Sequence, residues 1–241
     1  LGCDCAVCLS TDPRDKRLRT AALLQYGATT VAIDCGPDFR QQMLAAKVGH
    51  LDAIIMTHEH NDHIVGLDDV RPYNFKQMSD MPVYATPRVQ EQFRQRFAYV
   101  FKEQNKYPGA PMVQLLTIDK ETPFDIGDLH ITPVEVMHGS LPILGFRVGN
   151  FAYLTDVRSI TDQELEKLHG LDILVLNALH HSEHHSHLNL EQALALSVRI
   201  FPKKTYLIHM SHRMGLHEEI EQTLPANVFL GYDGLRLELD S

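Results

Sequence analysis

Four residues with metal-binding side chains fall within six positions of the segment THEHNDH, residues 57–63. His58 and His60, two apart, can converge on one cation from a short turn, and Asp62 and His63 can reach a second cation beside it. Two divalent ions roughly 3.5–4 Å apart clamp an in-line displacement and lower the pKa of a shared water. A second cluster, CDCAVC, opens the chain with Cys3, Cys5 and Cys8. Cysteines this close in sequence bridge one another poorly, but three thiolates plus one further ligand make a tetrahedral zinc site. A third concentration is ALHHSEHHSHLNL, residues 178–190, with histidines at 180, 181, 184, 185 and 187. It reads as a metal cage, a polar loop, or a loop in which one imidazole matters.

Each cluster needs a scaffold. TTVAIDC (29–35) and LDAIIMTH (51–58) are β-rich runs that end in polar chemistry. Between them, Phe39, Met43, Leu44 and Val48 are spaced like one face of a helix over 38–48. MPVYAT (81–86) reads as a strand. A helix is predicted over 89–101, with Phe93, Phe97 and Phe101 as a core stripe. Residues 129–139 and 143–156 read as strands, the latter folded on a Gly149-Asn150 hairpin turn. Thr161 and Glu164 are spaced as a capping box at the start of a helix. LDILVLNAL (171–179) is continuously apolar, as in a strand buried on both faces. A helix in NLEQALALSVRIF, a strand in KTYLIHM, a helix in LHEEIEQTL and strands around NVFLGYDGLRLEL complete the pattern. Alternating helices and strands with β-hairpins fit mixed sheets flanked by helices.

The bulk numbers set limits. The 241 residues are 44% hydrophobic and 22% charged, with a net charge of −9. No apolar stretch is long enough to span a membrane, and no basic-then-apolar leader is visible. The first residue is Leu, so upstream residues or a removed leader stay open. Duplex nucleic-acid binders carry a basic face, and this chain has no basic excess. Its one dense basic run, RDKRLR (14–19), reads as a solvated loop. Without repeats or linkers, residues 1–241 are expected to form a single domain. Thiols kept for metal point to a reducing, cytoplasmic setting. Cys35, outside the cluster, reads as a small core residue.

THEHNDH and the residues C-terminal to it resemble the metallo-β-lactamase superfamily over essentially the whole chain. The resemblance implies a four-layered αβ/βα sandwich of two mixed β-sheets flanked by helices, lacking here the family's opening strand. It supplies the later ligands in order: His138 in EVMHG, Asp156 in AYLTD and His209 in YLIHM. It implies one metal on His58, His60 and His138, a second on Asp62, His63 and His209, and a bridging Asp156. Asp34, closing VAIDC, is expected to orient the histidines. CDCAVC narrows the resemblance to PhnP-like cyclic phosphodiesterases, which carry a Cys3His structural zinc. Its fourth ligand here is His212, three residues past His209 and so pointing elsewhere. GLDDVRPYN and GYDGL also look like that group.

By the same likeness, His187 contacts the scissile phosphate or gives a proton to the leaving alkoxide. His184 lines the pocket, whereas His180, His181 and His185 are exposed loop residues. Arg71 and Tyr73 can reach substrate oxygens or serve in packing, and His130 and His217 are structural. The expected activity is a dinuclear hydrolase of a small phosphodiester, cyclic ones included, attacked by a metal-bridging hydroxide with Asp62 and His187 as catalytic residues. Two Mn or Zn ions and one structural zinc are the expected cofactors. The partners are a small-molecule substrate, with no nucleic acid or membrane, and a possible homodimer. Alternatives are a ribonuclease Z-like nuclease, a thioester or β-lactam hydrolase, and a metal-binding scaffold without activity.

Overall fold

The computed structural model describes residues 2–102, 104 and 106–239. It divides into two compact units, residues 1–18 with 132–241 and residues 19–131. A short helix, α1 (Ala6–Leu9), belongs to the first.

In residues 19–131, β1 (Ala22–Tyr26) and β2 (Thr29–Ile33) form an antiparallel hairpin. β3 (Ala53–Ile55), β4 (Met81–Ala85) and β5 (Val113–Thr117) extend it in parallel, in the order β1-β2-β3-β4-β5. β2 and β3 are buried at every position, as their apolar runs require. α2 (Phe39–Ala45) buries Phe39 and Met43, one turn apart, but Leu44 is 62% exposed. The helix is too short for a wide apolar stripe, and its next position rotates out to solvent. α3 (Asn61–Ile64) and α4 (Arg71–Gln77) follow. α5 (Pro87–Arg96) is capped by the Thr86 hydroxyl, which accepts from the Val89 N–H, and it packs on β4 and β5. It stops before Phe97, short of the predicted 101; Phe93 and Phe97 are nonetheless core residues. β6 (Phe124–Ile126) pairs with the first residues of β7 (Leu129–His138).

In the other unit, β8 (Leu141–Val148) and β9 (Phe151–Leu154) make the expected hairpin. Then come α6 (Asp162–Glu166), β10 (Ile173–Asn177), α7 (Leu190–Ile200), β11 (Lys204–Ile208), α8 (His217–Glu221) and β12 (Val228–Leu230). The sheet runs β12-β11-β10-β9-β8-β7, parallel from β9 to β12, with α7 on β10 and α8 on β12. β10 is buried at every residue, as a central strand covered on both faces must be. Both sheets are therefore mixed and carry helices.

Three local expectations change. Residues 235–239 form no strand. At α6 only half of the capping box exists: the Thr161 hydroxyl accepts from the Glu164 N–H at 3.3 Å. The buried Glu164 carboxylate instead accepts from the Glu135 N–H (2.7 Å) and pairs with Lys167 (2.8 Å). A full box forms where none was predicted, between Asn189 and Gln192 at α7. The basic run is stapled in part, with Lys16 and Arg19 left exposed. Arg14 pairs with Asp12 at 2.6 Å, Arg17 is largely buried beside Asp15, and the Leu18 N–H donates to Asp233. No helix among the described residues is long and apolar enough to cross a membrane.

Candidate active site

β2 and β3 end side by side, and their exits build the first half of the site. Asp34 follows β2 at φ 66°, a left-handed conformation uncommon outside glycine, asparagine and aspartate. Its fully buried carboxylate accepts from the Thr57 N–H (2.8 Å), the Thr57 hydroxyl (2.8 Å) and His63 Nδ1 (2.7 Å). The bond from His63 Nδ1 leaves the lone pair on Nε2, which stands 3.7 Å from Asp62 Oδ2. Because the Thr57 hydroxyl donates to Asp34, it is free to accept from His58 Nδ1 at 3.0 Å. That puts the His58 lone pair on Nε2 as well, 3.1 Å from His60 Nδ1. Tetrahedral ligands at about 2.1 Å stand about 3.4 Å apart, so both pairs have the spacing of ligands sharing one cation.

Two glycines let this turn close. The Cys35 N–H donates to the His63 carbonyl, and the Gly66 N–H donates to the Cys35 carbonyl, both at 2.8 Å. A Cβ at Gly36 would lie 2.2 Å from the Asp62 carbonyl oxygen, and one at Gly66 would lie 2.1 Å from that of Gly36. Cys35 is buried in the core, and desolvation pushes its thiol pKa up.

The other unit brings its own set together. Asp156 follows β9 at φ 58° and His209 follows β11 at φ 57°. The strain of such positions gathers where the surrounding structure fixes them for function. Asn177, fully buried at the end of β10, holds the Asp156 turn. Its Oδ1 accepts from the Val157 N–H (2.6 Å), and its Nδ2 donates to the Val157 carbonyl (3.1 Å). Asp156 Oδ1 lies 3.2 Å from His209 Nε2 and 3.6 Å from His187 Nδ1. His138 Nδ1 bonds the Ser186 carbonyl at 2.8 Å, and its ring lies 4.6 Å from that of His187. Ligand atoms of His138, Asp156 and His187 all lie within 4.8 Å of one another, so geometry alone admits His187 as a ligand too. Burial lowers the His187 pKa to about 3 against the upward pull of Asp156; the imidazole is neutral at neutral pH.

The histidine loop is tied shut by backbone bonds from Leu179 to Leu188 and from Leu190 to His180. His181 and His185 are exposed as expected, but His180 is buried, 5% exposed. It sits where the loop is stitched back onto the α7 start. His184 Nδ1 accepts from the Ser186 N–H at 3.3 Å, and burial lowers its pKa.

Cys3, Cys5, Cys8 and His212 also gather, with ligand atoms within 4.8 Å of one another. The Cys3 and Cys5 sulfurs each stand 3.4 Å from His212 Nδ1, against about 3.5 Å expected between sulfur and nitrogen on a tetrahedral zinc. The Cys8 backbone N–H and then His212 lower the Cys5 pKa to about 6. The bond to Cys5 raises that of Cys8 to about 11.

Arg71 lies 3.4 Å from Asp68, and the Tyr73 hydroxyl donates to the Val48 carbonyl within the core. His130 pairs with Asp125 at the surface, whereas His217 is buried and 3.3 Å from Glu221. Sequence reasoning missed Thr57, Asn177 and Arg96. Arg96 donates at 2.7 Å to the Glu59 carbonyl and to Asn61 Oδ1, bracing the metal-motif turn. Only a pattern tying strand-end polar residues to one another could have marked Thr57 and Asn177.

Residues 29–210 match the family model described as "Beta-lactamase superfamily domain". A crystal structure described as a new diphosphatase from the PhnP family superposes with a TM-score of 0.91 and 41% identity, over 98% of this chain and 90% of that one. An octanoyltransferase of Porphyromonas gingivalis is 43% identical over 242 residues, covering 100% of this chain but 49% of its own length. The chain thus spans about half of that curated relative. A ribonuclease Z of Macrococcus caseolyticus is 31% identical over 120 residues, 48% of this chain and 37% of its own. The chain belongs to the metallo-β-lactamase superfamily, in its PhnP-like group.

Proposed function

We propose that the protein is a dinuclear metal-dependent phosphohydrolase acting on a small phosphodiester or diphosphate. The observation that carries this reading is the Asp34 relay, which fixes the tautomer of His63 directly and that of His58 through Thr57, so that Nε2 is the lone-pair nitrogen of each ring. By the family pattern, His58, His60 and His138 would hold one ion and Asp62, His63 and His209 the second, with Asp156 serving the same pair. Zinc or manganese suits this donor set. When bound, such ions supply charge neutralisation at phosphoryl oxygens and lower the pKa of water. Cys3, Cys5, Cys8 and His212 would hold a structural zinc.

The protein's own residues do the rest. Asp34, Thr57 and the Ser186 carbonyl orient the imidazoles. His187, buried and neutral, donates a hydrogen bond to a substrate oxygen. An anionic phosphoryl group beside it would raise its pKa and let it pass a proton to the leaving oxygen. The net charge of −9 favours a small substrate over RNA. A cytoplasmic setting and a homodimer belong to the same reading.

The test is hydrolysis of cyclic and linear phosphodiesters, bis(p-nitrophenyl) phosphate and diphosphates by protein loaded with Mn²⁺ or Zn²⁺. Silence across that panel ends the reading. A second reading, acyl-ester or thioester hydrolysis, draws on the name of the longer octanoyltransferase relative. An octanoyl thioester in the same panel separates the two, and a precursor tRNA tests for ribonuclease Z-like cleavage.

A further inference from the structure

Beside the THEHNDH turn, within residues 19–131, lies a shallow open cleft of about 340 Å³ lined by Arg19, Pro37, Asn61, Asp62 and Val65. Arg19 is the cation on its wall. Its backbone is fixed twice: the N–H donates to Asp38 Oδ2 and the carbonyl accepts from Gln42 Nε2, both at 2.7 Å. These bonds tie it to the start of α2. Gly36 lies between Arg19 and the ligand turn; a Cβ there would lie 2.2 Å from the Asp62 carbonyl oxygen and 3.6 Å from Arg19 Cβ. Arg19 and Asp62 are thus packed across one glycine. The Arg19 side chain is exposed and makes no hydrogen bond or ion pair among the described residues. Its neighbours around the turn are engaged: Arg96 with Glu59 and Asn61, and Arg88 with Glu59.

We infer that Arg19 recognises a second phosphoryl group on the substrate, next to the one that reacts. The inference rests on the phosphohydrolase reading for what reacts. A guanidinium presents a planar fork of donors that matches phosphate oxygens two at a time. In a chain of net charge −9, an anchored, unpaired cation beside a ligand carboxylate offsets the repulsion a multiply charged substrate meets. A singly charged phosphodiester leaves it idle. The second phosphoryl group belongs either to a diphosphate linkage or to a separate phosphate on the substrate.

The test uses metal-loaded protein as wild type, Arg19→Ala and Arg19→Lys. Binding of imidodiphosphate and of inorganic phosphate is measured by calorimetry. Arg19→Ala weakens imidodiphosphate roughly 10- to 100-fold, at least tenfold more than it weakens inorganic phosphate, and Arg19→Lys recovers part of the loss. Equal weakening of the two ligands, or none, overturns the assignment. Hydrolysis of an adenosine diphosphate ester and of a p-nitrophenyl phosphodiester bearing a separate phosphate monoester is then compared with that of bis(p-nitrophenyl) phosphate. The probe whose KM rises most in Arg19→Ala identifies the source of the second group; a rise no larger than with bis(p-nitrophenyl) phosphate for either also refutes the idea. A wild type that hydrolyses none of these ends the phosphohydrolase reading, and the calorimetry still decides the role of Arg19.

Discussion

Replacing Asp34 with asparagine isolates the relay beneath the ligand turn. Asparagine keeps the shape and tolerates the left-handed backbone, so the change falls on hydrogen-bond polarity. The Thr57 N–H needs an acceptor, which places the amide oxygen at the position of Oδ1 and the amide nitrogen at that of Oδ2. That nitrogen now donates to His63 Nδ1 and to the Thr57 hydroxyl. His63 must then carry its proton on Nε2, and the Thr57 hydroxyl turns to donate to His58 Nδ1, moving that proton as well. The Thr57 N–H, the Thr57 hydroxyl and both Nδ1 atoms keep partners, so at these bonds the metal-free protein loses the difference between a charged and a neutral hydrogen bond, about 1 kcal/mol. Metal binding must reverse both tautomers against those bonds. Metal affinity therefore falls roughly 10- to 100-fold, the range for partners that orient metal ligands. A chelator-competition titration reads the affinity, thermal unfolding of metal-free protein reads the stability, and imidazole nitrogen NMR reads the tautomers. Affinity within twofold of wild type, with unchanged tautomers, would refute the relay.

Other predictions are more direct. His187→Ala lowers kcat by about 100-fold while elemental analysis finds the metal content unchanged; loss of a metal would instead make His187 a ligand, as its distance to Asp156 permits. Cys8→Ser removes the one metal that survives mild chelation and lowers the melting temperature, whereas an unchanged metal count would reject the zinc assignment. His217 is buried among Asp12, Arg14, Arg17, Asp15 and Glu221, and burial lowers its pKa. Its folded-state pKa lies below the unfolded value of about 6.5, so its contribution to stability is complete above that pH and is lost as pH falls toward the folded value. The melting temperature should decline from about pH 7 to about pH 5.5, less steeply in His217→Gln; parallel curves would dismiss the role.

The elements were legible wherever apolar residues run continuously or alternate clearly. The runs at β2, β3 and β10 and the hairpin at Gly149-Asn150 stand where the sequence places them. β1, β5 and β6 escaped notice because they are partly exposed and their patterns are weak. α5 ends early because the aromatic stripe continues into a turn that also packs on the core.

What the sequence determined by itself is the inventory of candidate ligands. H-x-H-x-D-H and C-x-C-x-x-C are local, because short spacing alone brings side chains onto one ion. The tertiary structure decided which atom of each residue is presented and which side chains are buried. Asp34 reaches Thr57 and His63 across 23 and 29 positions, and Asn177 reaches Val157 across 20. Those contacts set the tautomers and the strand-end turns. Burial made His187 neutral and took His180 out of solvent, and it is the fold that sets Arg71 beside Asp68 and leaves the Arg19 side chain without a partner among the described residues. Spacing along a chain fixes which groups are near in sequence, but desolvation and hydrogen-bond partnership depend on what the fold packs against them.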